Sequence, residues 1–98
     1  MKLTDTETAL FNAKRFTITT VLYVRGPQTM AQLRKATGLS WGDLDSNIRY
    51  MEKRGLVKSR KVVTKEGPRT LVELTESGEE SYVSLVSKLT QTIRGITG

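Results

Sequence analysis

Apolar residues recur along the chain first at helical spacing, then at strand spacing, then again at helical spacing. Ile18, Val21 and Leu22 form the inward stripe of a helix running from about Ala13 to Val24, with Asn12 as its cap and Arg25-Gly26-Pro27 as its end. Phe16, Thr20 and Tyr23 recur on another face of the same segment, which predicts a second surface that must be covered. The first dozen residues are mostly polar, with a Leu10-Phe11 pair near their end.

Thr29 and Gln32 have the spacing of a capping box, in which hydroxyl and amide satisfy two backbone donors that a helix start leaves open. A short helix follows to about Thr37. Gly38 suits the left-handed position beyond a helix end, and Ser40 starts the next helix, with Asp43 three residues on in the acidic position of the box. Leu44, Ile48 and Met51 give that helix a buried stripe, and Gly55 ends it. Two helices joined by a tight glycine turn are therefore expected.

From Leu56 the pattern becomes β-rich. Leu56, Val57, Val62 and Val63 are followed by Thr70, Leu71 and Val72, with Lys65-Glu66-Gly67-Pro68 between them, which predicts a hairpin closed by Leu74-Thr75. Thr75 caps a last helix from about Glu76 to Arg94, roughly 28 Å long. Its early glutamates, Glu76, Glu79 and Glu80, complement the helix dipole, a simpler explanation than a cation site. Tyr82, Val86, Leu89, Ile93 and Ile96, with Leu85 beside them, form an apolar seam along this helix at alternating spacings of four and three. A three-helix core does not need a cover of that length, so the seam predicts a homodimer, with Phe16 and Tyr23 completing the interface; the alternative is that Tyr82 to Leu89 pack within one chain and the end of the helix frays.

At 98 residues, with 37% hydrophobic residues, the chain suits a single domain spanning 1–98. The core is expected at about 10–74 and the dimerisation helix at about 75–96. There is no cysteine and no histidine, which removes disulfides, thiolate and imidazole metal sites and imidazole catalysis. An enzyme, a bound metal and a cofactor are accordingly not expected. No stretch has the length of a signal peptide or of a membrane span, so a cytoplasmic, nucleoid-associated location is expected, with no membrane partner.

Charge changes the picture most. Ten of the sixteen basic side chains lie between Arg34 and Arg69, against four of the ten acidic ones (Asp43, Asp45, Glu52, Glu66), so this tract carries +6 and the remainder sums to zero. A basic tract lying over helix, turn, helix and hairpin is the electrostatic footprint of a nucleic-acid-binding face.

The order of elements, with Leu39-Ser40, then Leu44, Ile48 and Met51, then Gly55-Leu56-Val57, resembles the recognition helix and first wing strand of winged helix-turn-helix transcription regulators of the MarR and ArsR type. Gly67-Pro68-Arg69-Thr70 and Leu74-Thr75-Glu76-Ser77-Gly78 are similar to the wing tip and the strand-to-helix joint of the small stand-alone members found in archaea and bacteria. The resemblance covers roughly Leu10 to Leu89. It implies an α+β, mostly α fold, a winged helix-turn-helix with a long C-terminal dimerisation helix, and double-stranded DNA as partner. The operator is left open, and so is a protein-interaction use of the same fold.

If family docking applies, Trp41, Asp45, Ser46 and Arg49 face the major groove, with Ser40 at the helix start and Arg34 and Lys35 flanking. Arg49 is suited to fork onto guanine or, equally, to pair with Asp45 one turn back. Asp45 is suited to accept from a cytosine amino group, and Trp41 either meets a thymine methyl or packs on the preceding helix. Lys58, Arg60, Lys61, Lys65 and Arg69 line the wing, where they reach minor-groove phosphates or serve as a solvated strand face. Three functions remain open: a dimeric sequence-specific regulator, an architectural protein of low sequence preference, and a protein-interaction module. A small-molecule effector is compatible with the fold and indicated by no motif.

Overall fold

The computed structural model describes residues 1–97. Helix α1 (Asp5–Leu10) was not expected from the apolar pattern, yet its start carries a complete capping box: Thr4 Oγ1 accepts from the Glu7 amide and Glu7 Oε1 accepts from the Thr4 amide at 2.8 Å. Helix α2 (Ala13–Arg25) begins where Asn12 Oδ1 accepts from Lys14 and Arg15 and ends at Gly26 with φ 78°. The two-residue strand β1 (Gln28–Thr29) leads directly into α3 (Met30–Thr37), whose Thr29–Gln32 box is complete. Gly38, φ 72°, turns the chain, and Ser40 caps α4 (Trp41–Lys53). Strands β2 (Val57–Thr64) and β3 (Gly67–Leu74) form the expected hairpin, and α5 (Glu76–Thr97) starts from Thr75, whose hydroxyl accepts from the Gly78 amide.

The sheet has the order β1-β3-β2, all antiparallel, with Gln28 opposite Val72 and Val57 opposite Leu74. Strand β1 spans only two residues and exists through its pairing with β3, which explains why no local pattern announced it. Beyond Leu71 only β2 and β3 remain paired, so the distal hairpin projects as a two-stranded wing.

One hydrophobic cluster joins Ala9 and Leu10 of α1, Ile18 and Leu22 of α2, Leu33 of α3, Leu44, Ile48 and Met51 of α4, Leu56, Val57 and Val72 of the wing root, and Tyr82 and Leu85 of α5. The predicted stripes of α2 and α4 therefore do meet. Among the described residues no buried side-chain nitrogen or oxygen lacks a hydrogen-bond partner.

Three expectations change. Tyr82 and Leu85 belong to this chain's own core, 7% and 0% exposed, so they have no surface to offer a second copy. The second face of α2 is covered only in part from within: the Phe16 and Tyr23 rings lie 5.5 and 5.0 Å from the Tyr82 ring and the Thr20 and Tyr82 hydroxyls are 2.8 Å apart, but Tyr23 stays 46% exposed. Residual apolar exposure on α5 is confined to Val83 and the far end, with Ile93 60% and Ile96 80% exposed and Val86 and Leu89 half-buried. Finally, Asp43 does not complete a capping box. Its carboxylate reaches Lys14 Nζ at 2.9 Å, tying α4 to α2, while Ser40 caps alone.

The joint between wing and α5 is sterically exact in one place. Gly78 lies against the Leu56 carbonyl so closely that a Cβ would overlap it, and Thr75 Oγ1 donates to the Gly55 carbonyl beside it. Opposite this joint, α1 is held to α5 by polar contacts: Lys88 Nζ sits 2.6 Å from Glu7 Oε1 and Ser81 Oγ 2.9 Å from Thr6 Oγ1. Glu7 is buried, and its pKa is lowered to about 2, first by Lys88 and then by hydrogen bonds from Ser84 and Thr4.

Candidate nucleic-acid interface

Burial of Leu44, Ile48 and Met51 rotates α4 so that Trp41, Gly42, Asp45, Ser46 and Arg49 face solvent, as the helical spacing requires. Trp41 is half exposed and carries the Arg34 guanidinium 5.2 Å from its ring, so the last turn of α3 and the first of α4 present a joint aromatic and cationic corner. Lys35 is exposed beside Arg34. Ser40 Oγ is engaged as an acceptor by the Asp43 amide, and Ser46 Oγ donates to the Asp43 carbonyl at 3.3 Å.

Arg49 Nε lies 3.1 Å from Asp45 Oδ2, one turn earlier, with both side chains more than half exposed. An ion pair of this kind contributes about 0.3–0.5 kcal/mol, so it is easily exchanged for another partner. With Asp43 held by Lys14 and Asp45 by Arg49, both aspartates of α4 have a local cation.

A second layer, which sequence reading did not identify, holds this helix in place. Arg15 Nε donates to the Ala9 carbonyl at 2.6 Å and Nη1 to Asn47 Oδ1 at 3.1 Å, while Asn47 Nδ2 donates to the Asp43 carbonyl. The Tyr50 ring carries two guanidinium groups, Arg15 at 4.0 Å and Arg54 at 3.4 Å from its centroid. The available signal was a polar Asn47 beside the buried stripe. It implied a partner, but only the fold could bring Arg15 to it.

Register divides the wing cations between two faces, because directly opposed residues of an antiparallel pair share a face. Lys58 and Arg60 point to the face of Glu73, with Nζ and Nε 3.7 and 3.8 Å from its carboxylate, and Arg69 follows on that face opposite Val62. Lys61 lies on the other face, with its ammonium 3.0 Å from Thr70 Oγ1. That face turns toward α4, since Ser59 Oγ donates to Glu52 Oε1. Lys65 stands in the turn at the tip. The five wing cations are thus a cationic rim around the ribbon instead of a single plane.

Three helices, a glycine turn between the last two, and a β-ribbon with a basic rim define a winged helix-turn-helix with an exposed helix face. The winged helix DNA-binding domain model matches residues 14–93, and the chain belongs to that family. A transcriptional regulator homologue from Pyrococcus horikoshii OT3 is 38% identical over 91% of this chain and 88% of its own, with TM-score 0.84. Fold similarity extends to a MarR-family regulator from Enterococcus faecalis V583 (22% identity, 94% and 83% coverage, TM-score 0.80). It also extends to the homodimeric winged helix-turn-helix domain of Mb0332 from Mycobacterium bovis, described as a possible ArsR-family regulator (20% identity, 92% and 80% coverage, TM-score 0.77). No curated protein sequence matches the chain. The family is one of DNA-binding transcription regulators. Among the described residues no helix is long and apolar enough to cross a membrane, and no cluster of acidic, histidine or cysteine side chains is suited to hold a metal.

Proposed function

We propose that the chain acts as a dimeric transcription regulator that places α4 in the major groove of duplex DNA and the wing on the adjacent minor groove or its phosphates. The observation that carries this reading is the +6 tract, whose cations the fold distributes along the α3 end, the α4 exit and the wing rim. Arg34, Lys35, Lys58, Arg60, Lys61, Lys65 and Arg69 make backbone contacts in this arrangement. Trp41, Asp45, Ser46 and Arg49 face bases, with Ser40 at the approach. The competition at Arg49 favours DNA: opening its exposed pair with Asp45 costs about 0.5 kcal/mol, whereas a bidentate contact to guanine contributes about 1–3 kcal/mol of discrimination.

The dimer rests on the far half of α5. Ile93 and Ile96 extend the apolar stripe past the last core contact, next to an open apolar hollow of about 280 Å³ lined by Phe11, Asn12, Ala13, Phe16 and Leu89. A second copy placed about a two-fold axis would cover Val86, Leu89, Ile93 and Ile96 and set two α4 helices about one duplex turn (~34 Å) apart.

Selection from a random duplex library at near-physiological salt tests the whole reading. A pseudo-palindromic preference is expected, together with a steep fall of affinity with salt. An architectural protein of low sequence preference is the second reading, favoured by the engagement of the Ser46 hydroxyl with the Asp43 carbonyl. Equal affinity for every probe would replace the first reading with the second. No duplex binding even at low salt would overturn both.

A further inference from the structure

The most exposed large apolar side chain in the described protein is Val63, 89% exposed on β2 near the wing tip. Opposite it in register stands Pro68, also exposed. Proline has no N–H to donate to the ladder, so the pair occupies a position without cross-strand hydrogen bonds, where opposed side chains stand closest. Val63 and Pro68 therefore form one apolar knob on one face of a projecting ribbon. Nothing in the fold covers it, because β1 pairs β3 only at Leu71 and Val72.

The tip is built to hold its shape. Thr64 Oγ1 donates to the Gly67 carbonyl at 2.8 Å and accepts from the Glu66 amide, and Gly67 supplies a positive φ of 101° where the hairpin closes. Cations flank the knob from both faces of the ribbon. Lys61 precedes Val63 by two residues on the same face, Lys65 stands in the turn, and Arg69, which belongs to the opposite face, bends its guanidinium back to the Pro68 carbonyl at 2.8 Å. Glu66 is the single acid at the tip.

An apolar knob flanked by cations complements a surface with apolar walls rimmed by phosphates, which is the chemistry of a duplex minor groove: deoxyribose C–H walls inside and phosphate oxygens at the edges. We propose that Val63 and Pro68 are a minor-groove wedge, packing against the sugar walls or a base step and bending the duplex, so that the wing favours sequences that deform easily. This deepens the DNA-binding reading and rests on it. The wedge selects sequence through groove width and stiffness, without a hydrogen bond to any base.

Binding of the full chain to its selected duplex, measured across a salt series together with duplex bending by fluorescence transfer between end labels, tests the wedge. Val63→Thr keeps shape and β-branching and exchanges one methyl for a hydroxyl. It is expected to weaken binding about five-fold at every salt concentration, leave the salt slope unchanged and reduce the bend. Lys65→Ala serves as the contrast, lowering the slope by about one. Affinity and bend both unchanged in Val63→Thr would overturn the proposal, as would a change in self-association with DNA binding intact, which would assign the knob to a protein contact. Failure of the parent chain to bind any duplex is a separate outcome that removes the DNA reading itself.

Discussion

The Arg15 guanidinium covers one side of the Tyr50 ring at 4.0 Å while donating to Asn47 Oδ1, so a single α2 side chain grips the α4 helix at two successive turns. Its Nε also holds the Ala9 carbonyl at the end of α1. The orientation of α4 is thus set by α1 and α2 as well as by the apolar stripe beneath it. Replacing Arg15 with Ala leaves Asn47 Oδ1 without its partner in a buried residue and bares one face of Tyr50. We expect a loss of about 2 kcal/mol in urea unfolding. DNA affinity should fall similarly for all sequences, and Arg15→Lys should not restore it, since an ammonium has neither the plane nor the fork of a guanidinium. Full rescue by Lys would show that charge alone is required.

Among the described glycines, Gly78 is the one whose added Cβ would meet backbone most closely. Its Cα faces the Leu56 carbonyl at the wing root, and the backbone there is fixed by Thr75 bonding back to Gly55. Gly78→Ala should cost about 3 kcal/mol or more by overpacking at an immovable backbone, read as a lowered urea midpoint or loss of soluble protein. Gly95→Ala, where a Cβ meets nothing, is the control and should be neutral or slightly stabilising.

Acid should loosen the α1–α5 contact. The Glu7 pKa is lowered from 4.5 to about 2, principally by Lys88, so the unfolded chain takes up a proton more readily than the folded one. The stabilisation is complete above about pH 4.5 and is lost as pH falls toward 2. Thermal midpoints measured through this window should drop less steeply for Glu7→Gln than for the parent. Parallel profiles would mean that Glu7 does not carry the effect.

At the α4 surface, Arg49→Ala should reduce affinity for the preferred duplex by about 1–3 kcal/mol and relax preference at one base pair. Asp45→Asn frees the guanidinium and removes a charge repelled by phosphate. It should raise affinity for non-preferred duplexes. A fall in affinity for both classes of duplex would instead identify Asp45 as a base acceptor.

Self-association should depend on the end of α5. Ile96→Asp, 80% exposed in a single copy, should leave monomer stability within about 0.5 kcal/mol and halve the solution mass determined by light scattering. An unchanged mass would move the interface elsewhere.

Much of the fold was legible because its signals are local. Asn12, Thr29 with Gln32, Ser40 and Thr75 each satisfy amides within three residues of themselves, and Gly38 and Gly55 take the positive φ that a chain reversal requires. Such features depend on nothing distant. Helix α1 had its Thr4–Glu7 box in plain view, but six residues with few apolar positions do not hold a helix alone. Its anchorage is the burial of Ala9 and Leu10 in the core and Glu7 on Lys88, 81 residues away.

The candidate site divides in the same way. Helical period alone placed Trp41, Asp45, Ser46 and Arg49 outward once Leu44, Ile48 and Met51 were assigned inward, and the Asp45–Arg49 pair followed from a spacing of one turn. The wing residues were found by composition, but their separation onto two faces required the register, which is set by pairing between strands.

What the chain determined by itself was the order and ends of the main helices, the hairpin, and the concentration of charge on its middle third, because caps, periodicity and charge are properties of neighbouring residues. Only the tertiary structure decided which apolar stripe meets which. It turned Tyr82 and Leu85 inward against Phe16 and the core, left Ile93 and Ile96 uncovered, held Asp43 with Lys14, and set Arg15 beneath α4. These are contacts between segments far apart in the chain, and their partners are chosen by packing rather than by spacing.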